Sequence, residues 1–123
     1  MLLVLLPLCA QEAPRKGGGR APENLKVLTP ADLQSGIMGK FVASLGVGSQ
    51  GGCAFCHVAN GPKSSDDNPK KNIARAMITM VKDINTRIGT ATGESGKEFV
   101  TCYTCHRGKP EPETAPPAGL PLP

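Results

Sequence analysis

Cys53-Ala-Phe-Cys56-His57 and Cys102-Tyr-Thr-Cys105-His106 are the stretches that decide how this chain is read. Two cysteines three residues apart lie on a single turn, where both sulfurs can form thioethers to the two vinyl groups of one haem. The adjacent histidine then swings its imidazole over the macrocycle to bind iron. The pattern occurs twice, 49 residues apart from Cys53 to Cys102, so the sequence predicts two covalently bound c-type haems. Cys53, Cys56, Cys102 and Cys105 are the expected thioether residues, and His57 and His106 the expected iron ligands.

Other uses of paired cysteines fit less well. A zinc ribbon would need the two pairs about 15 to 20 residues apart and gives no reason for a histidine after each. Disulfides within each pair would close loops too small to staple much. A thioredoxin-like redox pair needs a βαβ setting, and no stretch here alternates with period two.

Outward from each motif, a helix precedes it. Thr29-Pro30 places an N-cap residue and a proline at the first helical position, and Gly46 is the expected stop; Asn68-Pro69 and Gly89 repeat the arrangement. Leu33, Ile37, Met38, Phe41, Val42 and Leu45 recur at helical spacing in the first, and Ile73, Met77, Met80, Val81, Ile84 and Ile88 in the second. Each set predicts one buried face. The fold class is therefore all-α, with little or no strand: repeated units of helix, loop and attachment motif packed around two haems.

The ends read differently. Residues 1–10, MLLVLLPLCA, are far short of the roughly 20 apolar residues that span a bilayer. They read as the remnant of an export signal that lacks its basic start, with a lipoprotein signal presenting Cys9 for lipidation as the second reading. Residues 11–24 form a Gly/Pro/charged linker, residues 25–109 the dihaem cytochrome domain, and residues 110–123 a Pro-rich tail. Export places the protein in the periplasm or on the outer face of the cytoplasmic membrane.

The whole chain of 123 residues is one small domain. Its aromatic content is only 3%, with no Trp, against 15 glycines and 12 prolines, which leaves too little bulk to fill an apolar core with side chains alone. Haem supplies the missing volume. The net charge of +4 is spread rather than clustered and has almost no aromatics among it, which excludes nucleic acid as a partner. Four propionates from two haems would roughly cancel it.

Two histidines are present and both are taken by the motifs, so no bis-histidine haem forms within the chain. Apart from Met1, the methionines are Met38, Met77 and Met80, all on the apolar helix faces, where the ordinary role of methionine is to fill core. The sixth ligand must be Met, Lys, water or nothing. Iron needs one from the apolar side, where the chain offers nothing better than these methionines, and a thioether raises the potential by stabilising Fe(II). Aligning the helix starts superposes Met38 on Met77, whereas aligning the closing glycines favours Met80. Gly36 and Gly39 flank Met38 and can admit a porphyrin plane. Lys40, Lys63, Lys70, Lys71, Arg75 and Lys82 can pair with propionates or steer an acidic partner, against the usual role of lysines as a solvated face.

Asn24-Leu-Lys-Val-Leu28, the helix with Met38, the first attachment motif, Ala74-Arg-Ala-Met77-Ile-Thr-Met80-Val and Val100-Thr-Cys-Tyr-Thr-Cys-His-Arg-Gly108 together resemble the cytochrome subunit of photosynthetic reaction centres. The resemblance covers about residues 24–109, and residues 100–108 are its most specific part. In that family each haem lies along a helix that supplies the methionine, followed by a turn and the motif. This implies Met38 as the sixth ligand of the first haem and Met77 of the second, with Met80 the runner-up. The family subunit carries four haems, so a chain with two motifs looks like one half of it. No histidine lies in residues 85–98, where the family has one that ligates a further haem, and the loop of residues 46–52 is longer than the family pattern.

The expected function is electron transfer, with single electrons relayed between a redox protein donor and acceptor such as a reaction centre or membrane redox complex. Two other classes remain to be weighed. A dihaem peroxidase-like enzyme needs an open iron position and a distal acid or base, for which no spare histidine exists. A tethered subunit of a larger respiratory redox complex would use the tails, or a lipid on Cys9, for attachment.

Overall fold

A computed structural model describes residues 22–120. The expected export signal, the lipidation candidate Cys9 and most of the expected linker lie outside the described residues. Four helices and a short 3-10 turn follow in order: α1 (Pro30–Gln34), α2 (Ile37–Leu45), the turn Gly52–Phe55, α3 (Pro69–Thr92) and α4 (Cys102–His106). No strand occurs among the described residues, in keeping with the all-α expectation.

The first helix is broken where the sequence predicts continuity. Thr29 caps α1 as expected, with its hydroxyl accepting from the Asp32 N–H while the Asp32 carboxylate accepts from Thr29 N–H at 2.7 Å. The chain then turns at Ser35 and Gly36, whose φ of +74° lies in the left-handed region, and restarts as α2. Gly46 ends α2 as expected. Its N–H reaches Ala43 O and the Val47 N–H reaches Val42 O at 3.2 Å, a Schellman closure that brings Val47 back under the helix. Val47, at 3% exposure, is the one fully buried hydrophobic side chain among the described residues.

The second long helix overruns its expected stop. Gly89 does not close α3; the helix continues to Thr92 and ends at Gly93, with φ +74°. After Gly93 the chain folds back so closely that a Cβ on Gly89 would meet Glu94 O at 3.2 Å and Ser95 Cα at 3.3 Å. Gly89 thus serves a tertiary approach rather than a cap. The buried face also differs from expectation. Ile78, Val81, Ile84, Asn85 and Ile88 are half-buried, while Ile73, Met77 and Met80 are 59%, 37% and 43% exposed. The three form a separate apolar stripe beside the packed one.

α2 packs against α4, against the 3-10 turn and against α1, and α3 packs against α4. The tightest crossing joins the end of α2 to the turn after α4. The Gly108 N–H donates to Ser44 O at 2.8 Å, and a Cβ on Gly46 would fall 1.9 Å from Gly108 O. A glycine is required at Gly46 twice over, for its φ of +64° and for this contact. No described helix is long and apolar enough to cross a membrane.

Candidate haem-attachment sites

The two motifs take different local forms. In the first, the 3-10 turn Gly52–Phe55 carries Cys53, and the His57 N–H donates back to Cys53 O at 2.9 Å. The second is the single α-turn α4, opened by Thr101, whose N–H donates to Thr104 Oγ1 at 2.9 Å, and closed by Arg107 at φ +50°. Cys56, Cys102 and Cys105 carry free thiols. Burial pushes the thiols of Cys56 and Cys102 above their ordinary range, so they are protonated at neutral pH and do not resemble activated nucleophiles.

Both histidines are held in one way. His57 Nδ1 lies 3.0 Å from Lys63 O, and His106 Nδ1 lies 2.9 Å from Lys109 O. A carbonyl only accepts, so in each ring Nδ1 carries the proton and Nε2 keeps its lone pair. That is the tautomer of a metal-bound imidazole whose outer nitrogen is fixed by a carbonyl. Burial, followed by the cations of Lys71, Lys63 and Arg75, outweighs the Lys63 hydrogen bond and holds His57 below the usual imidazole value, so its ring is neutral at pH 7.

The residues present therefore fit a haem. Each site offers one imidazole nitrogen with a free lone pair, and among the described residues no three His, Cys, Asp or Glu side chains converge on a common point to hold a bare metal ion. A haem iron would need only such an imidazole from the motif, because the macrocycle supplies its other nitrogen donors. The thinly filled interior fits as well, because a chain with one fully buried hydrophobic side chain among its described residues leaves large apolar surfaces uncovered.

Met38 is half-buried near the start of α2, with open space beside both neighbouring glycines: a Cβ on Gly36 or Gly39 would meet nothing within 4 Å. Met77 and Met80 share the exposed stripe of α3. The break at Gly36 removes the basis for aligning helix starts, since Met38 is the second residue of its own helix and Met77 the ninth of α3. A cavity of about 510 Å³ opens beside the second motif, lined by Cys105, His106 and Arg107 and by Pro112, Pro116 and Leu120 of the terminal segment. Its volume is that of a small-ligand site. Neither Met77 nor Met80 lines it. Residues 111–120 are irregular and exposed, and they border the site.

Several contributors were not legible as site residues. Asn85, on the packed face of α3, accepts from the N–H groups of Phe99 and Val100 at 2.8 and 2.9 Å and donates to Val100 O at 2.9 Å, fixing the strand of chain that enters α4. An amide at an inward helical register was the available signal. Asn68 caps α3 and also donates to Phe55 O at 3.2 Å, joining the first motif to the second helix. Of the cations considered for propionates, Lys71 and Arg75 are engaged by Asp66, Lys82 by Val27 O, and Lys70 lies 3.7 Å over the Phe55 ring.

Comparison with known proteins agrees with this architecture. Over 93 residues, 76% of this chain, the sequence is 34% identical to the photosynthetic reaction center cytochrome c subunit of Thermochromatium tepidum, of which the match covers 22%. The corresponding subunit of Rubrivivax gelatinosus is 30% identical over 110 residues, 89% of this chain and 28% of that protein. Cytochrome c-554 of Chloroflexus aurantiacus is 36% identical over 59 residues, 48% of this chain and 14% of that protein. The chain thus spans 14 to 28% of the length of these relatives. No solved structure matches it. Residues 6–116 match the family described as the photosynthetic reaction centre cytochrome C subunit, and the chain belongs to that family.

Proposed function

We propose that the chain is a dihaem c-type cytochrome that relays single electrons between redox partners, one of them a reaction centre or a similar membrane redox complex. The observation that carries this reading is the matched state of His57 and His106, each locked by a backbone carbonyl into the tautomer that offers Nε2 to iron. A bound haem supplies a one-electron Fe(III)/Fe(II) couple, and the protein supplies everything that holds and tunes it.

Cys53 with Cys56, and Cys102 with Cys105, would hold the two macrocycles through thioether bonds. Lys63 O and Lys109 O keep the imidazoles from rotating. Met38 and Met77 would supply thioether ligands to the two irons, on the strength of the family pattern, which favours a carrier over a peroxidase. We place it in the periplasm or on the outer face of the cytoplasmic membrane, with Cys9 as an optional lipid anchor.

Mass spectrometry of the denatured protein, expressed with a cytochrome maturation system, tests the reading. An added mass of two haems is expected. One haem or none would overturn it.

A further inference from the structure

The two histidines are held alike, but the carbonyls that hold them are not in like company. Lys63 O accepts from His57 Nδ1 at 3.0 Å and also from Lys71 Nζ at 2.8 Å. Lys71 is well covered, its side chain 12% exposed, and its ammonium lies 3.3 Å from Asp66 Oδ1. Asp66 is shared further, with Arg75 at 2.8 Å and Lys26 at 2.9 Å. Three cations around one carboxylate leave this cluster with two positive charges in excess. At the second site, Lys109 O receives His106 Nδ1, and the ammonium of Lys109 is paired with Glu113.

The geometry points to Lys71 as a positioning residue that raises the reduction potential of the haem held by Cys53, Cys56 and His57. This rests on the dihaem reading above. Two physical effects act in the same direction. An ammonium on the shared carbonyl draws electron density from it, so the carbonyl accepts less strongly from His57 N–H and the imidazole becomes a poorer donor to iron. Fe(III) also carries one more positive charge than Fe(II), so a nearby excess of positive charge disfavours the oxidised form. The step affected is simple: one electron enters Fe(III) to give Fe(II), with no bond made or broken and no proton released. Lys71 biases an electron shared by the pair toward the first site, and Asp66 moderates that bias.

The test is a spectroelectrochemical titration of the full chain carrying both haems, each followed through its own haem-methyl NMR signals. In Lys71→Met, the Fe(III)/Fe(II) ratio of the first haem at fixed ambient potential should rise about tenfold, the lower end of what outer-shell partners contribute. For one electron that is about 59 mV. The second haem should not move, and Lys71→Arg, which keeps the charge, should stay near the parent. Asp66→Asn should shift the first haem the opposite way, toward Fe(II). Lys71→Gln serves the same test should the Met variant fail to accumulate. An unmoved first haem, equal shifts at both haems, or shifts of the same sign in Lys71→Met and Asp66→Asn would mean structural loosening and overturn the assignment. Absence of covalent haem would show first in the mass and would remove the parent reading with it.

Discussion

Met77 and Met80 lie on one exposed stripe of α3, about 60° apart around the helix, and both thioethers are free to leave the packed face. Ligation and packing make different demands on them. An iron ligand shows itself in the thioether-to-Fe(III) charge-transfer band, whereas a methionine that only lies against the ring does not. Met77→Ala is expected to abolish that band for one haem and lower its potential, while Met80→Ala leaves both in place. Near-infrared absorption of the oxidised protein, with redox titration, decides between them; loss of the band only in Met80→Ala would transfer the ligand role to Met80. At this scale the cysteines and histidines proposed for attachment stand out in the sequence because their chemistry is written in side chains. The acceptors that set the histidine tautomers do not, since Lys63 O and Lys109 O are backbone groups and any residue there supplies one.

Helix boundaries show the same division between local and tertiary causes. Thr29, Asn68 and Gly46 act as the caps their residue types predict, because capping is decided within one turn. Gly36 and Gly89 were misread for opposite reasons. A glycine inside an amphipathic run is compatible with a continuous helix, so the break at Gly36 leaves no local mark; Gly89 looks like a stop, yet it is kept small by a chain segment folding over it. The contrast between Gly36 and Gly46 can be measured. Both have positive φ, but only Gly46 meets a backbone atom. Gly36→Ala should cost about 1 kcal/mol, the ordinary penalty for a left-handed alanine. Gly46→Ala should cost clearly more, about 3 kcal/mol or above, because the Gly108 turn must move as well. Denaturant unfolding of the two holoprotein variants checks the order, and equal losses would refute the close crossing.

For the whole molecule, the shortage of buried side chains among the described residues leads to the expectation that folding depends on what is bound. Replacing Cys53, Cys56, Cys102 and Cys105 together by Ala should yield a chain with residual helix but no cooperative thermal transition, whereas the holoprotein melts in one step; circular dichroism and calorimetry distinguish the two. A sharp transition in the haem-free variant would show that the helices pack without it. Acid acts through a different feature. Asp66 is held far below the usual carboxylate range, chiefly by Lys26 and then by Asn24, Arg75 and Lys71. A depressed folded value stabilises above the unfolded pKa of about 3.9 and is lost as pH falls through the folded one. Asp66→Asn should therefore lower the denaturation midpoint at pH 7, with the gap from the parent narrowing steadily below about pH 4. A gap that stays constant down to pH 2 would place the stabilisation elsewhere.

The crossing of Gly46 and Gly108 also limits how such a chain can be divided. The helix bearing Met38 ends on the turn that leaves the second attachment motif, and Asn68 ties the first motif to the helix bearing Met77. Neither half owns its own scaffold. A fragment that ended between the two motifs would leave Gly46 without its seat, so the helices that carry the two motifs are expected to fold only together.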